Sequence, residues 1–249
     1  MKKFPLIIGN WKMYKTNTEA KAYVSSLLSL LEEVKTPAGL AVPYTAISLC
    51  ADLAKDHSLL IGAQNMHSAE EGAFTGEIAA DMLVDAGAEF VIIGHSERRK
   101  LFGESNADVA KKAQKALEKG LQVIVCVGEE EKHRKKGREA FLEAQLKESL
   151  QGVKKDFLAS LCIAYEPVWA IGTGKSAKPD EVDQIHQFLR SILETMFTKT
   201  HAKKVAILYG GSVKKENIVS YMKKTNVQGA LIGGASLKAH DFADMVQLH

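Results

Sequence analysis

The sequence is short of cysteine, of long apolar runs and of net charge, and each shortage removes a class of protein. Cys50, Cys126 and Cys162 are its three cysteines, far apart and without a CxxC pair. An odd number cannot pair completely, and this usage favours a reducing compartment. No stretch of 18 apolar residues occurs, so no membrane-spanning helix is expected. Met1-Lys2-Lys3 opens like the charged start of a signal peptide, yet Leu6-Ile7-Ile8 runs straight into Gly9-Asn10-Trp11-Lys12 with no apolar segment after it. The expectation is a soluble, cytoplasmic protein with no membrane contact. Its 33 basic and 30 acidic residues leave a formal charge of +3 scattered along the chain, which is no footprint for nucleic acid. The densest basic run, Lys132 to Arg138, follows Glu129 to Glu131 directly and reads as a solvated loop and helix face. No HxH or HExxH spacing is present, so no metal centre is expected.

A linker is missing too: no low-complexity or Pro/Gly/Ser-rich stretch divides the 249 residues, which read as one domain, 1–249. With 46% hydrophobic and 25% charged residues, disordered and collagen-like chains are excluded. A chain of this length buries most of its apolar surface without a metal or disulfide. What is present is an alternation. Short apolar runs begin at Leu6, Leu40, Leu59, Phe90, Val123, Leu161, Val205 and Ala230. Phe90-Val91-Ile92-Ile93 and Val123-Ile124-Val125-Cys126-Val127 are nearly continuous, as parallel strands buried on both faces require. Helix-period segments lie between the runs. Tyr23, Leu27, Leu30, Leu31 and Val34 make one stripe; Val182, Ile185, Leu189, Ile192, Leu193 and Met196 make another. The second segment opens with Pro179-Asp180-Glu181, a proline suited to the first helical position followed by acids suited to the positive end of the helix dipole. Eight strand–helix units fit an α/β fold, a closed (β/α)8 TIM barrel or a doubly wound sheet, and the count of eight favours the barrel.

Either architecture puts chemistry at the carboxyl ends of the strands. Gly9-Asn10-Trp11-Lys12 follows the first run, Gly94-His95-Ser96-Glu97-Arg98 the fourth, Glu166-Pro167-Val168-Trp169 the sixth, Gly210-Gly211-Ser212 the seventh and Gly233-Gly234-Ala235-Ser236 the eighth. Glycine pairs at adjacent strand ends either make tight turns or let backbone amides approach an anion; two pairs, one beside Ser212, point to the anion site. Glu166 precedes a proline and so stays extended at the strand mouth. There it could be a base, a metal ligand or a solvated charge, and without ligand partners the base is the better reading. His95 opens a helix-like segment, whose positive end disfavours imidazolium and leaves a neutral donor. Such a histidine is often structural, and Lys12 alone would be a surface lysine. Taken together, a base, a neutral donor, a cation and an anion cradle form a site for enolisation next to a carbonyl.

These segments, together with Tyr165-Glu166-Pro167-Val168-Trp169-Ala170-Ile171-Gly172-Thr173-Gly174, resemble the signatures of the triosephosphate isomerase family, in order and spacing, over essentially the whole chain. The resemblance implies a cofactor-independent isomerase that interconverts D-glyceraldehyde 3-phosphate and dihydroxyacetone phosphate through an enediolate, in glycolysis and gluconeogenesis. It implies Glu166 as the proton shuttle, neutral His95 as the group that polarises the carbonyl, Lys12 as the stabilising cation, Asn10 as oxyanion support and Glu97 as organiser of Lys12. Backbone amides of Gly172, Ser212, Gly233 and Gly234 would hold the phosphate. Residues 167–177 would form a lid that excludes water, and on closure Ile171 and Leu231 would press on Glu166. The loop 65–79 would make a homodimer, with Thr75 crossing the interface and Glu77 pairing with Arg98 of the partner subunit.

Glu130, Ser176 and Ala79 stand where the family commonly has other residues, and Ala79 removes a helix cap worth about 1 kcal/mol. Cys126 reads as packing, Trp11 and Trp169 as packing and hinge groups, and His67 has no evident partner. Two rivals remain at this level: another phosphosugar isomerase or a Schiff-base aldolase on the same barrel, and a barrel kept only for binding.

Overall fold

The computed structural model describes residues 7–34, 36–171 and 176–248. Eight parallel strands run through it: β1 (Ile7–Asn10), β2 (Ala38–Val42), β3 (Leu60–Ala63), β4 (Phe90–Ile93), β5 (Gln122–Val127), β6 (Leu161–Tyr165), β7 (Ala206–Tyr209) and β8 (Ala230–Ile232). They pair in sequence order and close, with Ile7 opposite Ala230 and Ile8 opposite Leu231. The closure excludes the doubly wound sheet and leaves a (β/α)8 barrel.

The continuous apolar runs follow from the two faces of each strand. Ile8, Ile92, Ile124, Cys126, Cys162, Leu208 and Leu231 fill the barrel interior. Their neighbours Ile7, Val91, Ile93, Val123, Val125 and Ile163 pack outward under the helices. Alternate residues therefore serve different cores, and neither face reaches water. Strand starts differ slightly from the apolar runs. β2 begins at Ala38, because Ala38-Gly39 pairs with Ile7-Ile8. Small residues pressed against a neighbouring strand carry no hydropathy signal.

Helix Asn17–Leu30 is opened by a reciprocal capping box between Thr16 and Glu19. Tyr23, Leu27 and Leu31 are buried, whereas the helix stops before Val34, which is only partly covered. Helix Pro179–Phe197 begins on its proline and buries Val182, Ile185, Leu189, Ile192 and Leu193. Ala79 precedes helix Ala80–Asp85 without any side-chain cap, and Glu130 likewise makes no side-chain cap bond for helix Glu131–Lys135. In the basic run, Arg134 and Arg138 both pair with Glu181, and Lys132 and Lys135 with Glu130 and Glu131. Among the described residues no helix is long and apolar enough to cross a membrane, and no cluster of His, Cys, Asp and Glu is placed to hold a metal ion.

Candidate active site

A cavity of about 670 Å³ opens at the carboxyl ends of the strands. Asn10, Lys12, His95, Glu97 and Glu166 line one part of it; Ser212, Gly233 and Gly234 line the other. Eight of the nine expected site residues, from five strand ends, are thus brought together. The ninth, Gly172, lies outside the described residues, as does the middle of the 167–177 segment.

Glu166 is 1% exposed. Its backbone is held by Val127, whose carbonyl accepts from Glu166 N–H at 2.8 Å. The adjoining Gly128 makes this approach possible, since a Cβ there would lie 1.7 Å from the Glu166 carbonyl oxygen. The carboxylate accepts from Ser96 N–H at 2.9 Å on one oxygen and lies 2.9 Å from His95 Nε2 on the other. Burial works to raise its proton affinity, but His95, the Ser96 amide and Lys12 outweigh it, so the carboxyl sits below the ordinary carboxylate range.

His95 is the N-cap of helix Ser96–Phe102, and its Nδ1 accepts the Glu97 N–H at 3.2 Å. An acceptor nitrogen carries no proton, so in this arrangement the ring is the neutral tautomer with its proton on Nε2, donated to Glu166. Burial disfavours the imidazolium; the Glu166 carboxylate favours it and prevails, lifting the ring's proton affinity above that of an ordinary histidine. That lift belongs to the carboxylate and disappears once the carboxylate turns to another partner.

Lys12 has a left-handed backbone, φ 54°, a strained setting for a side chain. Two contacts hold it: its N–H donates to Asn10 Oδ1 at 3.0 Å, and its carbonyl accepts from Gln64 Nε2 at 2.9 Å. Its ammonium is 2.6 Å from Glu97 Oε1. Gln64 and the Ser96 amide were not legible in the sequence. The first sits in no motif, and the second acts through its backbone, which any residue type supplies.

The remaining expected residues have defined places. Cys126 is fully buried inside the barrel, where burial pushes its thiol well up and leaves it no nucleophile. Trp11 is buried edge-on against Tyr23. Trp169 donates to Glu129 Oε1 at 3.1 Å under the Arg134 guanidinium, a packing place at the start of the 167–177 segment. His67 does have partners: its Nδ1 accepts the Ala69 N–H at 3.1 Å and its ring lies against Phe74.

Fold and site together define a (β/α)8 barrel in which Glu166, His95 and Lys12 face a glycine-rich wall across one cavity. The triosephosphate isomerase family profile matches residues 5–249. Proteins named triosephosphate isomerase from Protochlamydia amoebophila and Carboxydothermus hydrogenoformans are 47% and 45% identical, covering 97% and 98% of this chain and 92% and 98% of their own. A crystal structure of triosephosphate isomerase from Bartonella henselae superposes with a TM-score of 0.88 at 39% identity, covering 98% of each chain. The chain belongs to the triosephosphate isomerase family.

Proposed function

We propose that the chain interconverts D-glyceraldehyde 3-phosphate and dihydroxyacetone phosphate, with Glu166 moving the proton and His95, Lys12 and Asn10 stabilising the oxygen charge. The observation that carries this assignment is the Glu166–His95 contact at 2.9 Å, set in a cavity whose other wall is Ser212, Gly233 and Gly234. Bound phosphate at that wall directs the carbonyl end of a three-carbon substrate toward the pair. The substrate oxygen then takes the place of Glu166 as acceptor for His95 Nε2–H. Freed from His95 and Ser96, the carboxylate removes a proton from the carbon next to the carbonyl and returns it to the neighbouring carbon. Between the two transfers the enediolate oxygens lie against the Lys12 ammonium and the Asn10 carboxamide, while His95 Nε2–H gives its proton to the former carbonyl oxygen and takes back the proton of the neighbouring hydroxyl, so that both the carbon and the oxygen protons have changed places. One carbon is oxidised as its neighbour is reduced, so the molecule neither gains nor loses electrons and no redox cofactor is called for; the stabilisation of the oxygen charge falls to His95, Lys12 and Asn10. A Schiff-base aldolase needs a neutral amine, whereas Lys12 is paired with Glu97 at 2.6 Å.

The same reading includes Gly172 among the phosphate-binding amides, lid closure over residues 167–177, a cytoplasmic location and a homodimer through loop 65–79. Support for the dimer comes from apolar side chains left bare near that loop and the site mouth: Phe74, Met13 and Phe102 are 47%, 94% and 68% exposed. The test is a coupled assay from glyceraldehyde 3-phosphate to dihydroxyacetone phosphate after exhaustive chelation. Full rate without metal or cofactor is expected. Absence of turnover, or turnover restored only by a divalent ion, would overturn the proposal.

A further inference from the structure

Gly233 and Gly234 line the cavity, but nothing in two glycines fixes the direction of their amides; the rest of the molecule must do so. Gly233 adopts φ −84° and ψ −114°, an arrangement that needs outside support. The Gly233 carbonyl accepts two bonds from Ser236, from its N–H and from its Oγ, both at 2.8 Å. In a trans peptide the next N–H points opposite to the carbonyl. Pinning the Gly233 carbonyl away from the cavity therefore aims the Gly234 N–H. Ser236 is wholly buried and is itself held in place. It sits against β1 where Gly9 has no side chain, since a Cβ on Gly9 would come within 2.9 Å of Ser236 Cβ.

Lys15, in the connection after β1, and Tyr23, on the helix that follows, complete the hold. Tyr23 Oη donates to the Ser236 carbonyl at 2.6 Å, a buried bond spanning 213 residues of sequence. Lys15 Nζ donates to the Leu237 carbonyl at 2.9 Å and lies over the rings of Tyr23 and Trp11, at 4.6 and 5.3 Å from their centroids. Lys15 reaches this position from a left-handed backbone, φ 78°, and that strained conformation is offset by the contacts it allows. Neither Tyr23 nor Lys15 lines the cavity. We infer that Lys15 and Tyr23 are positioning residues for phosphate recognition, acting through the Ser236–Leu237 backbone on the Gly233–Gly234 peptide and not on the reacting carbons.

This inference rests on the isomerase reading above, and the experiment separates the two. Wild-type protein, Tyr23→Phe, Lys15→Met and the double variant are compared in three measurements. These are the competitive inhibition constant of inorganic phosphate, KM and kcat with glyceraldehyde 3-phosphate, and kcat/KM with D-glyceraldehyde, which has no phosphate. Loss of each bond is expected to weaken phosphate inhibition and raise KM on the order of three- to tenfold, the range for one hydrogen bond. The ratio of kcat/KM between phosphorylated and unphosphorylated substrates should fall by the same factor. Phosphate inhibition unchanged in folded variants, or equal losses on both substrates, would overturn the inference. If Tyr23→Phe unfolds, Lys15→Met on the half-buried lysine decides it alone. If wild-type protein turns over neither substrate, the isomerase reading fails, and calorimetric titration with inorganic phosphate decides this one: affinity weakened in the variants supports it, and equal affinity in folded variants overturns it.

Discussion

At the scale of single residues, the site depends on environments that no residue type announces. Glu166 is an ordinary glutamate in composition, but its carboxylate is 1% exposed and ringed by donors. Leu231 and Ile171 line the cavity with it. Covering a carboxylate removes the water that stabilises its charge and makes it a stronger base, so an apolar pair closing on Glu166 would speed carbon deprotonation. Leu231 is 3% exposed at the top of the barrel core, so it also contributes packing. Leu231→Ala should cost about 2–5 kcal/mol of stability for the cavity left behind. If the leucine tunes Glu166, kcat/KM should also drop at temperatures where the variant stays folded. The proton affinity of Glu166 in a complex with a phosphate-bearing inhibitor should drop with it. Unchanged kinetics with lowered stability would assign Leu231 to packing only.

At the scale of elements, most helices and strands end where local chemistry says they should, and one does not. Thr198 closes helix Pro179–Phe197 at φ 82° and ψ 152°, a region nearly reserved for glycine. A β-branched side chain there stores roughly 1–3 kcal/mol of strain. What its side chain gains is a contact between Oγ1 and His201 Nδ1 at 3.0 Å. Thr198→Gly relieves the strain but adds freedom to the unfolded chain worth about 0.5–1 kcal/mol. A net stabilisation of about 1 kcal/mol is expected, read as a raised denaturant midpoint at unchanged m value. A lower midpoint would mean that the threonine contact outweighs the backbone strain.

Two properties belong to the whole molecule. The first is its response to acid. His186 is completely buried, donates Nδ1–H to the Asn226 carbonyl at 3.1 Å and has no partner on Nε2 among the described residues. Tyr165 lies edge-on to its ring. Burial pulls its pKa from 6.5 down to about 4, against the Asn226 bond and Asp183 and with the help of Arg190. The unfolded chain therefore takes up a proton as the pH falls below about 6.5 while the folded chain does not until about 4. Stability is full above that window and lost as the pH drops through it, by about 3 kcal/mol at the lower end. Replacing the ring, as in His186→Leu, should flatten the urea-unfolding free energy between these two pH values; a slope equal to wild type would place the acid sensitivity elsewhere. The second property is assembly. If loop 65–79 joins two subunits, light scattering should give a dimer, and Thr75→Glu should yield monomers. Activity should then fall on the order of 10²-fold, because in the resembled family this loop inserts next to Asn10 and Lys12 of the other subunit, and a monomer would lose that support for their geometry. A fully active monomer would remove the dimer from the mechanism.

How much of this was legible from residues alone depends on the range of the interaction involved. Eight apolar runs and their helical partners follow from local periodicity, and the start at Pro179 follows from backbone chemistry within one turn, so the α/β alternation was readable. The strand-end placement of Asn10, Lys12, His95 and Glu166 was readable for the same reason. Closure of the barrel was not: it rests on Ile7 meeting Ala230, a pairing across almost the whole chain that periodicity does not encode. Likewise the tautomer of His95, the paired state of Lys12 and the aim of the Gly234 amide were decided only in three dimensions. Each depends on backbone groups or on side chains such as Gln64, Ser236 and Tyr23, whose partners lie 52, 3 and 213 residues away. A sequence records which groups are available, whereas burial and hydrogen-bond direction, which give those groups their chemistry, exist only once the chain has closed on itself.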